Sequence, residues 1–425
     1  MKRALVLSGG GAKGSYELGV YKALKKLGIK IDIITGTSIG ALNGAVLCTG
    51  DYRKAKRLWL KLSASDMFNY TFKDSKEYPK IAKDIIKNKG LKFDKAEEII
   101  RSLIDEDKIR KSKIDYGLVT VNLNNRVPKM LTKSQIPKGK LISYVIASAT
   151  CFPMVEMKKI DGEYYVDGGY YDNLPINLAI DMGADEIIAV DLSAIGLKQK
   201  IKDEDVKIDY IKKDLSDDFI LDFNPDSAKR NIKAGYNDTL KYFKKLDGNN
   251  YSFKRNDLTK NYNNLGESYI KLLKQVLISD ESKSNILDII KNKRYQNIFM
   301  NIKQGKGLER EINSSIEYLG KLFEIDNEYV YSIGRFNRML IKEAKSLNYI
   351  TIDKNLKGKM LIGYIYNRYM ESENKEEIYK KLLNIALIFQ KDFLAALYLI
   401  TISNKYPITF KGDKFFDELL NELKK

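Results

Sequence analysis

The sequence predicts an α/β domain with a mostly parallel sheet flanked by helices, followed by an all-helical C-terminal region. Three observations predict it. Short apolar runs rich in β-formers alternate with helical patterns through the N-terminal half. Those runs are apolar almost throughout rather than alternating, as strands buried on both faces are. After Arg255 the strand-like runs stop, and nearly every pattern that follows has helical period. The expected organisation is therefore a catalytic or binding domain at 1–255 and a helical domain at 256–425.

The elements follow in order. Arg3–Leu7 (RALVL) is a strand. Tyr16–Leu27 is a helix, with Leu18, Tyr21, Ala23, Leu24 and Leu27 on or near one face. Ile31–Thr35 (IDIIT) is the next strand and Ile39–Leu47 the next helix. Arg53–Leu62 is helical and carries the single tryptophan, Trp59. Residues 76–112 are mainly helical. Tyr116–Leu123 and Glu186–Leu192 are buried strands, Leu141–Ala149 a short helix, and Tyr164–Val166 a short strand. Residues 196–255 are Lys- and Asp-rich with no dominant period. Beyond them, Tyr269–Leu277, Ile312–Phe323, Tyr329–Ala344 and Ile378–Ile402 read as helices.

Two segments imitate membrane signals. The start, MKRALVLSGGGA, resembles a signal peptide, but its apolar run, Ala4–Leu7, is far shorter than the ~7–15 residues such a core needs. Leu382–Ile402 is strongly apolar, but Gln390, Lys391 and Asp392 interrupt its middle. Charge at mid-bilayer is costly, so a buried helix is expected, not a span. The expected location is cytoplasmic, at most peripheral at a membrane.

Composition excludes more than it proves. The 425 residues include no histidine. No Ser-His-Asp triad, Cys-His dyad or HExxH zinc site can be built from this chain, so any catalytic proton must move through Asp, Glu, Lys, Tyr, Cys or water. Cys48 and Cys151 lie in apolar, small-residue surroundings and read as reduced thiols. With CxxC also absent, no metal site is expected. Lys and Arg exceed Asp and Glu by 74 to 56, a net charge of +18. The excess is spread along the chain without a basic arm. It suits a solvated surface or contact with an anionic membrane, and no nucleic-acid partner is expected.

Three motifs carry chemistry. Ser8-Gly9-Gly10-Gly11-Ala12-Lys13-Gly14 follows a strand and opens a helix. It satisfies GxGxxG, but a dinucleotide site wants an acidic residue closing the second strand, and Asp32 lies near that strand's start instead. A P-loop needs GK[ST], which is missing. What survives is a turn whose backbone N–H groups face negative charge, with Lys13 as an added cation. Gly36-Thr37-Ser38-Ile39-Gly40 sits between a strand and a helix, the setting of a GxSxG nucleophile elbow with Gly36 and Gly40 at its turn. The third motif supplies a carboxylate. A strand delivers Asp167 into Gly168-Gly169, followed by Asn173-Leu174-Pro175, with Asp172 as the rival and Asp161-Gly162 as a plausible hairpin turn.

Together these pieces resemble the patatin-like phospholipase family. The matching segments are SGGGAKG at 8–14, GTSIG at 36–40, ASATCFP at 147–153, DGG at 167–169 and GADEIIAVDL at 183–192. The resemblance implies a Ser-Asp dyad, with Ser38 as nucleophile and Asp167 as base. It places Gly9, Gly10 and Gly11 in the oxyanion loop, with Lys13 where the family often has Arg or Lys. It implies a lipid acyl hydrolase acting on phospholipid or lysophospholipid esters without a cofactor. The competing reading is a non-catalytic membrane- or protein-binding scaffold on the same fold. Met67, Phe68, Phe152, Met154 and Val155 are candidate walls for an acyl chain. With a carboxylate base, activity should not show the loss on acidification below ~6.5 expected from a histidine base.

Overall fold

In the computed structural model, residues 1–68, 78–87, 90–212, 220–278, 307–347 and 357–405 are described. They fall into two compact units, Met1–Phe243 and Lys244–Lys425.

The first unit is built on an eight-stranded sheet. Its strands are β1 (Arg3–Leu7), β2 (Ile33–Thr37), β3 (Asp115–Asn122), β4 (Val127–Thr132), β5 (Lys158–Ile160), β6 (Glu163–Asp167), β7 (Glu186–Asp191) and β8 (Lys207–Lys212). The order β8-β7-β1-β2-β3 is parallel throughout. The sheet is mixed beyond β3, where β4 and β6 both pair with it antiparallel and β5 pairs antiparallel with β6.

The apolar strands are explained by what covers them. Leu5 and Leu7 of β1 enter the large core cluster on one face, and Ala4 and Val6 enter a smaller cluster on the other. Ile188 and Val190 of β7 divide from Ile187 and Ala189 in the same way. A strand with both faces buried must be apolar at every position. Helices α1 (Ser15–Lys26) and α2 (Ile39–Leu47) contribute to the large cluster, and α3 (Ile176–Asp181) to the small one. The predicted helical stretch at 76–112 contains Tyr78–Lys87, Asp94–Leu103 and Glu106–Lys111; its residues 76–77 and 88–89 lie outside the described residues.

Register decides where the site forms. β4 pairs with β3 from Gly117 to Asn122 and so occupies one edge of that strand. The other edge is shared. β2 pairs with Asp115–Val119, ending with Thr37 opposite Val119. β6 then takes Thr120–Asn122, with Asp167 opposite Thr120. Two strands running in opposite directions thus meet end to end on one edge. The residues leaving them, Ser38 and Asp167, come together because Val119 and Thr120 are neighbours.

The Asp161-Gly162 turn joins β5 to β6 with both residues at positive φ, 49° and 88°, as a tight hairpin requires. Three expectations need correction. β2 runs Ile33–Thr37, not Ile31–Thr35, so the strand continues into the GxSxG motif itself. The units divide at Phe243, not after Arg255, because Tyr251 and Phe253 belong to the second unit's core. The second unit is largely helical rather than all-helical. It holds a small sheet of β9 (Leu246–Asp247), β10 (Ser252–Lys254) and β11 (Val330–Tyr331).

In that unit, the apolar run at 382–402 forms the end of Lys375–Ile388 and most of Gln390–Lys405, broken at Phe389. Asp392 is buried but satisfied: its carboxylate accepts from the Tyr318 hydroxyl at 2.6 Å and from the Gly358 N–H at 3.0 Å. No helix among the described residues is long and apolar enough to cross a membrane.

The boundary is testable. Phe253 is fully buried against Phe336 in the second unit's core. Phe253→Ala should destabilise that unit by about 3–5 kcal/mol through the cavity it leaves. Hydrogen exchange should accelerate at amides beyond Lys244 and stay unchanged in the sheet of the first unit.

Candidate active site

The elbow is set by sterics. Ser38 has φ 57° and ψ −126°, a costly conformation for a residue with a Cβ. It is held there by close backbone packing. A Cβ on Gly36 would lie 2.4 Å from the Gly40 backbone, and one on Gly40 would lie 2.4 Å from the Leu7 carbonyl oxygen. Only glycine lets the turn fold back on itself against β1. The Ser38 N–H donates to Ser148 Oγ at 2.9 Å, and Ser148 Oγ donates to the Val119 carbonyl at 2.6 Å. Thr37 Oγ1 donates to the Asp172 carbonyl at 2.7 Å. Ser38 then sits at the N-terminus of α2, whose first N–H groups are a partial positive charge.

Asp167 is 5% exposed. Its backbone N–H donates to the Thr150 carbonyl at 3.0 Å, and its Oδ1 accepts from Gly169 N–H at 2.7 Å. Burial raises its pKa to about 6. Hydrogen bonds from the Ser38 side chain and from Gly169 N–H oppose that rise but do not cancel it. The rival, Asp172, is also buried and pushed up to about 6, and its Oδ1 caps Leu174 N–H at 3.2 Å. It is Asp167, and not Asp172, that reaches the cavity containing Ser38.

That cavity holds about 530 Å³. Its apolar wall includes Leu42, Met67, Phe68, Phe93, Ile100 and Phe223, and its mouth is formed by the 194–197 loop and Tyr170. Of the expected wall residues, Met67, Phe68 and Val155 line it. Phe152 and Met154 do not. Phe152 is exposed at a separate depression, and Met154 packs against the core.

The glycine loop also needs revision. Gly9 N–H donates to the Asn173 carbonyl at 3.1 Å, so it is not available to an oxyanion. Gly10 and Gly11 line the cavity. Gly11 has φ +55°, and a Cβ there would lie 2.0 Å from the Ile220 carbonyl oxygen. Lys13 is buried and does not line the cavity; its N–H closes the turn on the Gly10 carbonyl at 3.2 Å. Asp32, at the opposite end of β2, pairs with Lys30 and accepts the Arg3 N–H. Cys48 is a buried core thiol whose pKa burial raises to about 12. Cys151 is half-buried on the cavity wall, with burial raising its thiol to about 11.

Two residues that the motifs include without a role are positioning residues. Ser148 clamps the elbow from within the ASATCFP segment. Asn173 holds the glycine loop through its carbonyl, and its Nδ2 donates to the Gly9 carbonyl at 3.4 Å. A serine facing inward from an otherwise apolar helix was the available signal for Ser148.

A patatin-like phospholipase family model matches residues 5–180. Those residues belong to the patatin-like phospholipase family. The match takes in the end of β1, the glycine loop, the elbow and Asp167, and stops short of the 194–197 loop and Phe223. Among curated proteins, the chain is 32% identical over 196 residues to "Lysophospholipase nte1" of Aspergillus terreus, covering 45% of this chain and 12% of that one. It is 33% identical over 197 residues to "Patatin-like phospholipase domain-containing protein 7" of Rattus norvegicus, covering 45% and 14%. It is 30% identical over 202 residues to domain-containing protein 6 of Homo sapiens, covering 45% and 13%. The chain therefore matches only about an eighth of the length of these relatives. Among solved structures, VipD from Legionella pneumophila aligns over 97% of this chain and 92% of its own, at 14% identity and a TM-score of 0.32.

The buried carboxylate has a stability consequence of definite sign. A folded-state pKa near 6, above the ordinary 3.8, means the native state binds the proton more tightly than the unfolded chain. The penalty is absent below about pH 4 and fully present above about pH 6, at roughly 3 kcal/mol for two units of displacement. Asp167→Asn retains an acceptor for Gly169 N–H without the charge. Denaturant unfolding should find it more stable than wild type at pH 8 by up to about 3 kcal/mol, with the difference vanishing near pH 4.

Proposed function

We propose that this chain is a serine lipid acyl hydrolase using Ser38 and Asp167, with lysophospholipids and related single-chain acyl esters as substrates. The observation that carries the reading is the meeting of β2 and β6 on β3, which sets a strained serine and a buried carboxylate at one apolar cavity. The cavity's volume lies within the range that encloses one small ligand. That capacity, and relatives bearing the name lysophospholipase, support one acyl chain.

Asp167 accepts the Ser38 proton as Oγ attacks the ester carbonyl. The backbone N–H groups of Gly10 and Gly11 and the positive end of α2 hold the oxyanion. The acyl–oxygen bond breaks and Asp167 returns the proton to the departing glycerol oxygen of the deacylated headgroup, leaving an acyl-serine. A water then attacks the acyl group and gives its proton to Asp167; the bond from the acyl carbon to Ser38 Oγ breaks, Asp167 returns the proton to Oγ, and the fatty acid leaves. Desolvation suits this role, because a carboxylate of raised pKa is a better proton acceptor from an alcohol.

The pH expectation stated from sequence shifts accordingly. Asp167 must be ionised, and its pKa is displaced upward to about 6. The rate should fall about tenfold per unit below that value, near where a histidine base would fail, although the chain has no histidine. Asp167→Asn should remove this limb along with the activity.

A fluorophosphonate should label wild type at Ser38 and leave Ser38→Ala unlabelled. Short-chain ester hydrolysis should drop at least about 10³-fold in Ser38→Ala and in Asp167→Asn. Wild-type rates in both would sink the dyad. Lipid profiling of a membrane extract treated with wild type or Ser38→Ala should show lysophospholipids consumed and free fatty acid released by wild type alone.

A further inference from the structure

The mouth of the cavity is bordered by apolar side chains that face solvent. Ile195 is fully exposed and Leu197 is 60% exposed, in a molecule whose other apolar loop residues mostly find cover. The loop that carries them is anchored. Ser193 N–H donates to Asp191 Oδ1 at 2.9 Å, and Leu197 N–H donates to the Gly169 carbonyl at 2.9 Å. Asn173 N–H donates to the Leu197 carbonyl at 2.6 Å, and Lys198 pairs with Asp191 at 2.7 Å. The backbone therefore holds Ile195 outward.

The exposed strip continues past the mouth. Leu197 is tied to Gly169, next to Tyr170, which is exposed at the cavity rim. The Tyr170 hydroxyl donates to the Phe152 carbonyl. Phe152 shares a surface depression with Ile86 and Tyr164, and all three are exposed. Six large apolar or aromatic residues, Ile195, Leu197, Tyr170, Phe152, Ile86 and Tyr164, thus lead from the mouth to the neighbouring depression. An exposed patch of this kind, with tyrosines among its members, marks an interaction surface. Lysines border it. Lys87 follows Ile86, Lys198 follows Leu197, and Lys159 stands over the Tyr164 ring at 5.5 Å; Glu156 is the acidic member of the depression.

We propose that this rim is the membrane-docking surface, and that it seats the cavity mouth on a phospholipid bilayer carrying anionic lipid. Ile195 and Leu197 enter the acyl boundary as an interfacial wedge. Tyr164 and Tyr170 lie at headgroup depth, and the bordering Lys87 and Lys159 meet anionic headgroups. The arrangement lets a lipid pass from bilayer to Ser38 with its chain leaving one apolar medium for another. The proposal rests on the acyl-hydrolase reading for its purpose, but its geometry and its binding test stand apart from catalysis.

The experiment uses the full chain and vesicles of phosphatidylcholine with phosphatidylglycerol. Wild type should co-sediment with them. Ile195→Asp, and separately the pair Ile86→Asp with Phe152→Asp, should each lower partitioning at least tenfold with unchanged thermal unfolding. Ile195→Trp should retain binding and show a blue-shifted emission on vesicle addition, read against the buried Trp59. The Ile86/Phe152 pair should keep hydrolysis of a soluble short-chain ester while losing hydrolysis on vesicles. The proposal is overturned if wild type does not partition, or if both sets of variants partition like wild type. It is also overturned if the rim proves to join two copies, seen as a dimer that Ile195→Asp dissolves without any vesicle binding. Vesicle binding by a wild type that cleaves no ester would leave the docking surface standing and reject the acyl-hydrolase reading instead.

Discussion

One edge of β3 organises the active site. β2 and β6 arrive from opposite directions and share it, ending against Val119 and Thr120. The backbone hydrogen bonds of a sheet leave no freedom in that register. Everything at the site depends on it. Ser148 bonds the Val119 carbonyl and the Ser38 N–H together, so the same β3 residue that ends β2 also supports the elbow. A Cβ on Gly168 would lie 2.2 Å from the Val119 carbonyl oxygen, which shows how closely the turn after Asp167 packs on this junction. The glycines of the DGG and GTSIG motifs are where two chain ends are brought into contact with no room for side chains.

The energetics of the site run against stability. Ser38 is held at a backbone conformation a free chain avoids, and Asp167 is a carboxylate largely withdrawn from water. The parallel sheet, buried on both faces, supplies the rigidity that holds both. On the proposed reading, this is how a fold without histidine obtains a base that titrates near neutrality. An aspartate in water is too weak an acceptor. Desolvation moves it to about 6, into the range an imidazole would otherwise occupy. The chemistry absent from the composition is recovered by environment.

The sequence was most informative where one residue type satisfies a local rule. The apolar runs of β1, β3 and β7 predict buried strands, and the two glycine turns predict where helices begin. It was least informative where short strands depend on a partner. β4 reads Val-Pro-Lys-Met-Leu-Thr and β8 reads Lys-Ile-Asp-Tyr-Ile-Lys, and both were passed over. Each is an outer strand in the sheet, polar in part, and defined by the neighbour it pairs with. Helix α4 (Pro225–Tyr242) is hidden for a related reason. Most of its buried residues, Ala228, Asn231, Gly235, Asn237 and Thr239, are small or polar and give little periodic signal, but they let the helix pack tightly on α1; a Cβ on Gly235 would lie 2.1 Å from the Tyr16 carbonyl oxygen. The unit boundary was misplaced because Tyr251 and Phe253 lie among polar residues, and only their packing reveals which core they join.

By itself the sequence determined the candidate site's raw material: a serine in an elbow, a glycine loop, a carboxylate before Gly-Gly, and no imidazole anywhere. These are local facts, set by residue type and spacing within a few residues of chain. Tertiary structure alone decided how they combine. It chose Asp167 over Asp172 by bringing only the former to the cavity. It withdrew Gly9 from the oxyanion loop by engaging its N–H with Asn173, and it moved Lys13 into the interior. It also raised the base to about 6. Each of these outcomes turns on distance and burial between segments more than a hundred residues apart. Hydrogen-bond register and desolvation act across such separations, and no local pattern encodes them.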